Sequence, residues 1–171
     1  ADREAVMFIS DYHLVWMPRK LDAFQRLIER LLAAGAPVGG IGCQSHLAAD
    51  LTPGAVDRTL RTLARFGLPI HVSELDVSLT RAQRRFASDT ARQEAQARIY
   101  AETAAAFHGL PEAQRFAFTV WGLRDGDSWL RRENARDAPL PFDDAGQPKL
   151  AAAALAQGLA GGLYQKASGA L

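Results

Sequence analysis

Two acidic side chains, Glu74 and Asp76, interrupt an apolar segment that runs from Leu68 to Val77. An unpaired carboxylate is costly to bury, so each is expected to have a partner. One interpretation is a structural ion pair, and the other is a nucleophile or a general acid or base held rigidly by a strand. His46, just after another apolar run, is a candidate to bridge the two carboxylates and keep both ionised.

Aromatic and amide residues that follow the other apolar runs favour a carbohydrate ligand. Tyr12 follows the first run, Gln44 follows the second, and Trp121 and Trp129 flank the exit of the fourth. Flat aromatic faces suit a sugar ring, which carries C–H groups on its faces and hydroxyls on its rim. Core packing remains the alternative for Trp121, whereas Trp129 lies in a polar loop. Trp16 has no polar company and is interpreted as a packing or rim residue.

The sequence has no pattern typical of a metal, disulfide or phosphate site. His46, Glu74 and Asp76 lack the paired spacing of recognised metal motifs, so we expect neither a metal nor a cofactor. The single cysteine, Cys43, excludes an intrachain disulfide. The glycines in 39–42 lie within an apolar run and lack the lysine of a phosphate loop, so we expect them to permit close packing.

The composition is that of one ordinary globular domain. The chain has 171 residues, of which 48% are hydrophobic and 23% charged, enough for a sizeable core. Its 20 basic and 19 acidic residues give a net charge of +1, so we expect no nucleic-acid or membrane partner. No apolar run approaches the roughly 20 residues of a membrane span, and no signal segment is recognised.

Apolar runs alternate with segments of helical period along the whole chain. The predicted strands are centred near Phe8, Ile41, Val72 and Phe118. A strand–helix unit with its crossover needs about 30 residues, so the spacing predicts four parallel units. A closed eight-unit barrel needs about 250 residues. The chain is therefore either an open doubly wound sheet or half of a barrel.

Two positional predictions follow from this arrangement. The period of two in the third strand places Ile70, Val72, Glu74 and Asp76 on one face. Helices are expected to open at Pro18, at Thr52-Pro53 and at Pro148, where proline suits the first turn. Ligands of parallel α/β folds bind beyond the carboxyl ends of the strands, and the polar clusters of this sequence follow those ends.

Five segments, in order, resemble the catalytic domain of glycoside hydrolase family 10, the retaining endo-β-1,4-xylanases. MFISDYHL at 7–14, VGGIGCQSHL at 38–47 and IHVSELDVS at 70–78 resemble its fifth, sixth and seventh strands. FTVWGLRDGDSWL at 118–130 resembles the eighth, and 139–155 the closing loop and last helix. The resemblance implies half of a TIM (β/α)8 barrel. Residues 1–171 would form one C-terminal half-barrel, with a frayed tail at 160–171.

The same resemblance implies roles for the site residues. Glu74 would be the nucleophile that forms a covalent glycosyl-enzyme, with His46 and Asp76 supporting it. Gln44 and Tyr12 would line the sugar site, and two tryptophans of the eighth-strand segment, Trp121 and Trp129, would cradle glycone-side xylose residues. The implied partner is xylan or a xylo-oligosaccharide, and the implied localisation is secreted or periplasmic.

The chain departs from the family pattern in two respects. Ser10 and His13 replace two asparagines of the fifth-strand motif. The family's acid/base glutamate ends the fourth strand, to which no segment of this chain corresponds, so we expect residues 1–171 alone to hydrolyse xylan poorly. The exposed edges of a half-barrel would favour a homodimer or an N-terminal half-barrel bound in trans. Two alternatives remain: an inactive carbohydrate-binding or scaffold module, and a doubly wound domain with an unrelated ligand.

Overall fold

The computed structural model describes residues 5–83 and 86–161, and in them four strands alternate with four α-helices. The order is β1 Met7–Tyr12, α1 Pro18–Ala33, β2 Val38–Ala48, α2 Ala55–Ala64, β3 Ile70–Ser78, α3 Asp89–His108, β4 Arg115–Val120 and α4 Leu150–Leu159. No helix in this part of the chain is long and apolar enough to cross a lipid bilayer. Residues 162–171, most of the predicted frayed tail, lie outside the described residues.

The four strands form one parallel sheet in the order β1-β2-β3-β4, as the sequence predicts. All four carboxyl ends therefore meet at one edge. Strand β2 is longer than predicted, so Gln44 and His46 lie within its carboxyl-terminal part rather than after it. In the register, Gln44 is opposite Tyr12 of β1 and His46 is opposite Asp76 of β3. The pairing alone brings three predicted site positions to neighbouring strands.

The main hydrophobic core lies between the convex face of the sheet and the helices. Burial of apolar surface here holds the strands to the helix layer, at about 25 cal/mol per Å². The buried core side chains include Ile41, Val72 and Leu75 from the strands, Phe24 and Ile28 from α1, Leu60 and Leu63 from α2, and Ile99 and Tyr100 from α3. The polar ends of the strands are thus carried by a rigid base.

The concave face of the sheet is strongly curved and carries aromatic side chains. The rings of Phe8 in β1 and Phe116 in β4 lie 4.5 Å apart between centroids, although these strands are the two edges of the sheet. A Cβ on Gly40 would collide with the Phe8 ring, and one on Gly42 would lie 2.5 Å from the Ser10 hydroxyl. The glycines of β2 therefore permit close packing, as expected.

Strand β3 contains a bulge at Glu74. Val72 is opposite Phe118 and Leu75 is opposite Val120, so two residues of β3, Ser73 and Glu74, face one residue of β4. Glu74 adopts a left-handed backbone with φ 57°. This conformation costs a non-glycine residue about 1–2 kcal/mol. Bulges of this kind are frequent beside active sites, where they redirect a side chain.

The bulge overturns the predicted alternation of β3. Ile70 and Val72 do not share the face of Glu74, because the extra residue shifts the period by one. The apolar side chains on both sides of the bulge instead enter the same core: Ile70, Val72, Leu75 and Val77. His71, before the bulge, lies on the concave face against Phe8 and Phe116.

Two helices begin later than the prolines predict. Helix α2 begins at Ala55, after Gly54 in a left-handed conformation with φ 73°, and helix α4 begins at Leu150. The backbone N–H of Gly54 donates a hydrogen bond to Glu102 of α3 at 3.3 Å, and Arg98 donates to the carbonyl of Leu51 at 3.0 Å. Contacts from α3 therefore fix the loop between β2 and α2.

Candidate active site

The carboxyl ends of β2 and β3 bring His46, Glu74 and Asp76 into direct contact. His46 Nε2 lies 3.1 Å from Glu74 Oε2, and His46 Nδ1 lies 3.1 Å from Asp76 Oδ2. The bulge at Glu74 makes this possible, since it turns both carboxylates of β3 toward the neighbouring strand. The bridging contact inferred from the sequence is present.

Asp76 is the buried anchor of this group. It is fully inaccessible to solvent, and its Oδ2 also accepts a hydrogen bond of 2.9 Å from Trp129 Nε1. Its Oδ1 has no hydrogen-bond partner within residues 5–83 and 86–161. Both donors therefore converge on one oxygen, which fixes the His46 ring and the Trp129 indole relative to each other. Glu74 keeps 22% of its side chain exposed, so a ligand can reach it.

The two carboxylates change the acidity of His46. Burial alone would lower the pKa of the imidazole, but the hydrogen bonds and negative charges of Asp76 and Glu74 outweigh it and raise the pKa above its usual 6.5. A protonated ring donates to both carboxylates at once, and it offsets their mutual repulsion. The arrangement keeps Glu74 oriented by a cationic donor.

The raised pKa of His46 predicts a pH-dependent contribution to stability. Because the folded-state pKa exceeds that of the unfolded chain, the stabilisation is complete below about pH 6.5 and is lost as pH rises through the folded value. The free energy of unfolding of the native chain, minus that of His46→Gln, is therefore expected to fall as pH rises above about 6.5. Urea titrations between about pH 5.5 and 9 measure it.

His71 provides a control of opposite sign. Burial lowers its pKa, against a smaller opposing effect of the Glu74 charge. The free energy of unfolding of the native chain, minus that of His71→Gln, should therefore rise with pH as the His71 ring loses its proton. A His46 difference that is flat, or that rises in parallel with the His71 difference, would contradict the geometry.

A cavity of about 790 Å³ opens beside this group. It lies at the edge of the sheet where β1, β2 and the loops after β3 and β4 meet. Its walls are formed by Tyr12, His13, Trp16, Gln44, His46, Leu47, Ala48, Asp50, Leu51, Thr52, Arg81, Gln83 and Trp129. Of the residues that the sequence predicts for sugar binding, three line it. Trp121 lies outside it, 46% exposed, with its ring centroid 6.3 Å from that of His46.

Two residues of this wall were not predicted from the sequence to belong to the site. Trp16, interpreted as packing or rim, lines the cavity next to His13, and Arg81 lies over the Trp129 ring at 4.9 Å. The signal for Trp16 was its place between the end of β1 and the start of α1, four residues after Tyr12. Loops at the carboxyl ends of strands carry ligand contacts even where the local sequence is apolar.

Three other carboxylates near this edge have cationic partners of their own. Asp11 pairs with Lys20 at 2.7 Å and Asp127 with Arg124 at 2.9 Å. Asp125 is buried and pairs with Lys149 at 2.9 Å; burial raises its pKa, while the Leu140 N–H and Lys149 oppose that effect. Each of these three carboxylates is therefore engaged by a cation.

The described residues offer no arrangement for a metal. Within residues 5–83 and 86–161, no group of three or more His, Cys, Asp or Glu side chains is placed to hold an ion. The His46 cluster consists of hydrogen-bonding and ionisable groups. Such a set can position one carboxylate for attack on an electrophilic carbon or for proton transfer.

Comparison with known proteins gives a consistent match. The family model described as glycosyl hydrolase family 10 matches residues 1–158. Endo-1,4-beta-xylanase A of Caldicellulosiruptor saccharolyticus is 30% identical over 160 residues, which cover 85% of this chain and 45% of that protein. A thermostable mutant of the xylanase Xyn10A from Cellvibrio japonicus has a TM-score of 0.85 at 29% identity, covering 94% of this chain and 51% of that structure.

A further solved structure shows a ligand. A mutant of xylanase A from P. fluorescens subsp. cellulosa in complex with xylopentaose has a TM-score of 0.84 and 28% identity, covering 94% of this chain and 51% of that one. The chain thus spans about half the length of the relatives it matches. The prediction of half a barrel, rather than an open doubly wound sheet, is confirmed by this match.

Proposed function

The chain belongs to glycosyl hydrolase family 10, and on that premise we propose that it supplies the nucleophile-bearing half of a retaining endo-1,4-β-xylanase. The substrate is xylan or a xylo-oligosaccharide, and the bond cleaved is the β-1,4-xylosidic bond. The observation that carries the proposal is the Glu74–His46–Asp76 cluster, in which one accessible carboxylate is held by a histidine beside a cavity.

Glu74 acts as the nucleophile. Its carboxylate attacks the anomeric carbon, a bond from that oxygen to carbon forms, and the bond to the leaving-group oxygen breaks as that oxygen takes a proton from a general acid that the other half of the barrel would supply. Water then attacks the same carbon and releases Glu74. The hydrogen bond from His46 falls on Oε2, so Oε1 is the oxygen that attacks. Asp76 acts through His46, which makes both of them positioning residues.

The sugar chain lies along the carboxyl edge of the sheet. Gln44 and Tyr12 contact the sugar nearest Glu74, and both line the cavity. Trp121 and Trp129 hold xylose residues on the glycone side. Trp121 has the exposure that stacking requires, at 46%, and Trp129 is fixed by its hydrogen bond to Asp76. A fixed aromatic face binds with little loss of side-chain entropy.

The deciding experiment is covalent labelling with a 2-fluoro-xylobioside that carries a dinitrophenolate leaving group. This leaving group departs without protonation, so the reaction tests Glu74 without requiring a general acid. One added disaccharide in the intact mass, mapped to Glu74, is the expected result. A folded chain that binds xylo-oligosaccharide and takes no label would instead be an inactive carbohydrate-binding or scaffold module.

The two edges of the sheet point to association with a second half-barrel, either another copy of this chain or an N-terminal half in trans. Strands β1 and β4 each have one unpaired side, and Phe116 on the concave face is 55% exposed. In light scattering, residues 1–171 should show a mass that rises with concentration toward a dimer, and Phe116→Lys should weaken this. A stable monomer at every concentration would contradict the homodimer, and failure to bind a separately produced N-terminal half-barrel would contradict association in trans.

The proposal extends to organisation and localisation. We propose that residues 1–171 belong to a single half-barrel domain; in support, one core packs all four strands against the helices within the described residues. We also propose that the protein is secreted or periplasmic, where it would meet xylan outside the cytoplasm. Fractionation of cells that express the natural protein tests the localisation, and activity confined to the cytoplasm would contradict it.

A further inference from the structure

The indole of Trp129 is held both at its N–H and over its ring. Its Nε1 donates a hydrogen bond of 2.9 Å to Asp76 Oδ2, the oxygen that also lies 3.1 Å from His46 Nδ1. The guanidinium carbon of Arg81 lies 4.9 Å from the centroid of the Trp129 ring, within the range of a cation–π contact. Arg81 therefore contacts the side chain that shares Asp76 with His46.

The place of Arg81 is set by a buried carboxylate that the proposed reaction does not use. Asp137 is 1% exposed; its Oδ2 accepts the Ser78 hydroxyl at 2.5 Å, and its Oδ1 accepts the backbone N–H of Leu79 at 2.9 Å. The backbone N–H of Arg81 donates to the same Ser78 hydroxyl at 2.9 Å. A buried carboxylate is costly without donors, so these bonds hold the turn after β3 in one conformation. Arg81 extends toward Trp129 from this fixed turn.

Arg81 also pairs with Glu133, but this contact is the weaker restraint. The two side chains are 38% and 52% exposed, and ion pairs between exposed groups contribute little to stability. Tryptophan is the aromatic residue that binds a cation best. We therefore expect the turn and the Trp129 ring, rather than Glu133, to fix the relation of Arg81 to the site.

We propose that Arg81 is a positioning residue for the proposed reaction: it holds the Trp129 indole with its N–H on Asp76, and so limits how strongly Asp76 binds His46. This inference rests on the proposed function. A hydrogen bond from Trp129 draws negative charge from Asp76 Oδ2 and leaves less of it for the imidazole. If the indole moves away, Asp76 binds the His46 proton more tightly, and the pKa of His46 rises further above its usual value. Arg81 thus acts on Glu74 through three intervening side chains.

The ionisable groups around His46 come from separate elements. Glu74 and Asp76 of β3 raise its pKa, and His13, in the segment after β1, is coupled to His46 through charge. The positive charge of Arg81 lowers the pKa of His13. The titration of His13 therefore reports the removal of the Arg81 charge, whereas the titration of His46 reports the contact between Trp129 and Asp76.

The test is the titration of the four histidines by NMR in Arg81→Met, Arg81→Lys and Trp129→Phe, with Arg124→Met as the matched control. Arg124 is also an exposed arginine at this edge of the sheet, but it pairs with Asp127 and is not part of the cavity wall. In Arg81→Met the pKa of His46 should rise by about half a unit to one unit, the effect of one hydrogen bond. Trp129→Phe removes the N–H and keeps a flat ring, so it should give a similar rise. Arg81→Lys, which keeps a cation, should give a smaller rise, and Arg124→Met should give none.

A double variant decides whether Arg81 acts through Trp129. Adding Arg81→Met to Trp129→Phe should leave the pKa of His46 where Trp129→Phe alone places it, because the hydrogen bond is already lost. Additive rises would mean that the Arg81 charge acts on His46 directly, and they would overturn the proposal. An unchanged pKa of His46 in Arg81→Met would also overturn it, provided that the pKa of His13 rises in the same variant and shows that the charge was removed.

The labelling reaction separates this inference from the proposed function. Protonated His46 orients Glu74, so the alkaline limb of the labelling rate against pH should move upward with the pKa of His46 in Arg81→Met. An equal loss of rate at every pH would mean that Arg81 only stabilises the fold, and it would overturn the proposal. A native chain that takes no label, but whose His46 responds to Arg81→Met as expected, would support the effect of Arg81 on His46 and contradict the nucleophile role of Glu74.

Discussion

Replacing Glu74 by glutamine is expected to remove the 2-fluoro-xylobiosyl adduct completely. An amide is a poor nucleophile, and no covalent bond to the anomeric carbon can form through it. The substitution is close to isosteric, and the amide oxygen can still accept the hydrogen bond of 3.1 Å that His46 makes in the native chain. The left-handed backbone at φ 57° has a similar energetic cost for glutamate and for glutamine. The effect therefore reports chemistry rather than folding.

Intact-mass spectrometry of the native chain, Glu74→Gln and Glu133→Gln checks this result. Glu133 pairs with Arg81 near the cavity and has half of its side chain exposed, so its replacement controls for the loss of one carboxylate close to the site. The control should take one label, as the native chain does. A label on Glu74→Gln, mapped to another carboxylate, would overturn the assigned nucleophile while leaving family membership intact.

The order of strands and helices could be predicted from the sequence because it depends on local patterns. The bulge at Glu74 could not be. Period-two alternation places Glu74 on the same face of β3 as Val72. The extra residue of β3 is visible only in its pairing with β2 and β4. Register is a tertiary property, since a strand shifts by one residue when its neighbours and its core require it. The proposed role of Glu74 came from the family resemblance, whereas the alternation assigned Glu74 to the wrong face of the strand.

The candidate site shows the same division. The contact of His46 with Glu74 and Asp76 was predictable, because parallel strands bring their carboxyl ends to one edge. Asp125 also follows a strand end, but it is buried against Lys149, which lies 24 positions later in the sequence. Nothing local marks that pairing. Trp16 could not be assigned to the site from the sequence, because its contact with the His13 ring and the cavity that it lines depend on how β1 and α1 are placed in the fold.

A polypeptide of residues 1–171 is expected to hydrolyse native xylan about 10²–10⁴-fold more slowly than a complete relative, the usual contribution of general acid catalysis. A retaining glycosidase uses two carboxyl groups about 5–5.5 Å apart, one to attack and one to protonate the leaving oxygen. Glu74 is the proposed nucleophile, and the carboxylates of Asp11, Asp125 and Asp127 are each paired with a cation. An activated leaving group should remove most of the deficit.

The measurement follows dinitrophenolate release from dinitrophenyl xylobioside and reducing ends from xylan, with the Caldicellulosiruptor saccharolyticus xylanase as reference. Relative to the reference enzyme, the loss of rate should be large on xylan and small in the first turnover with the activated substrate. Hydrolysis of the covalent glycosyl-enzyme also needs a general base, so this intermediate should accumulate. Azide needs no deprotonation; by attacking the anomeric carbon and releasing Glu74, it should restore turnover. Xylan hydrolysis equal to the reference would contradict this account, and Asp50, the remaining carboxylate in the cavity wall, would then be the acid to replace.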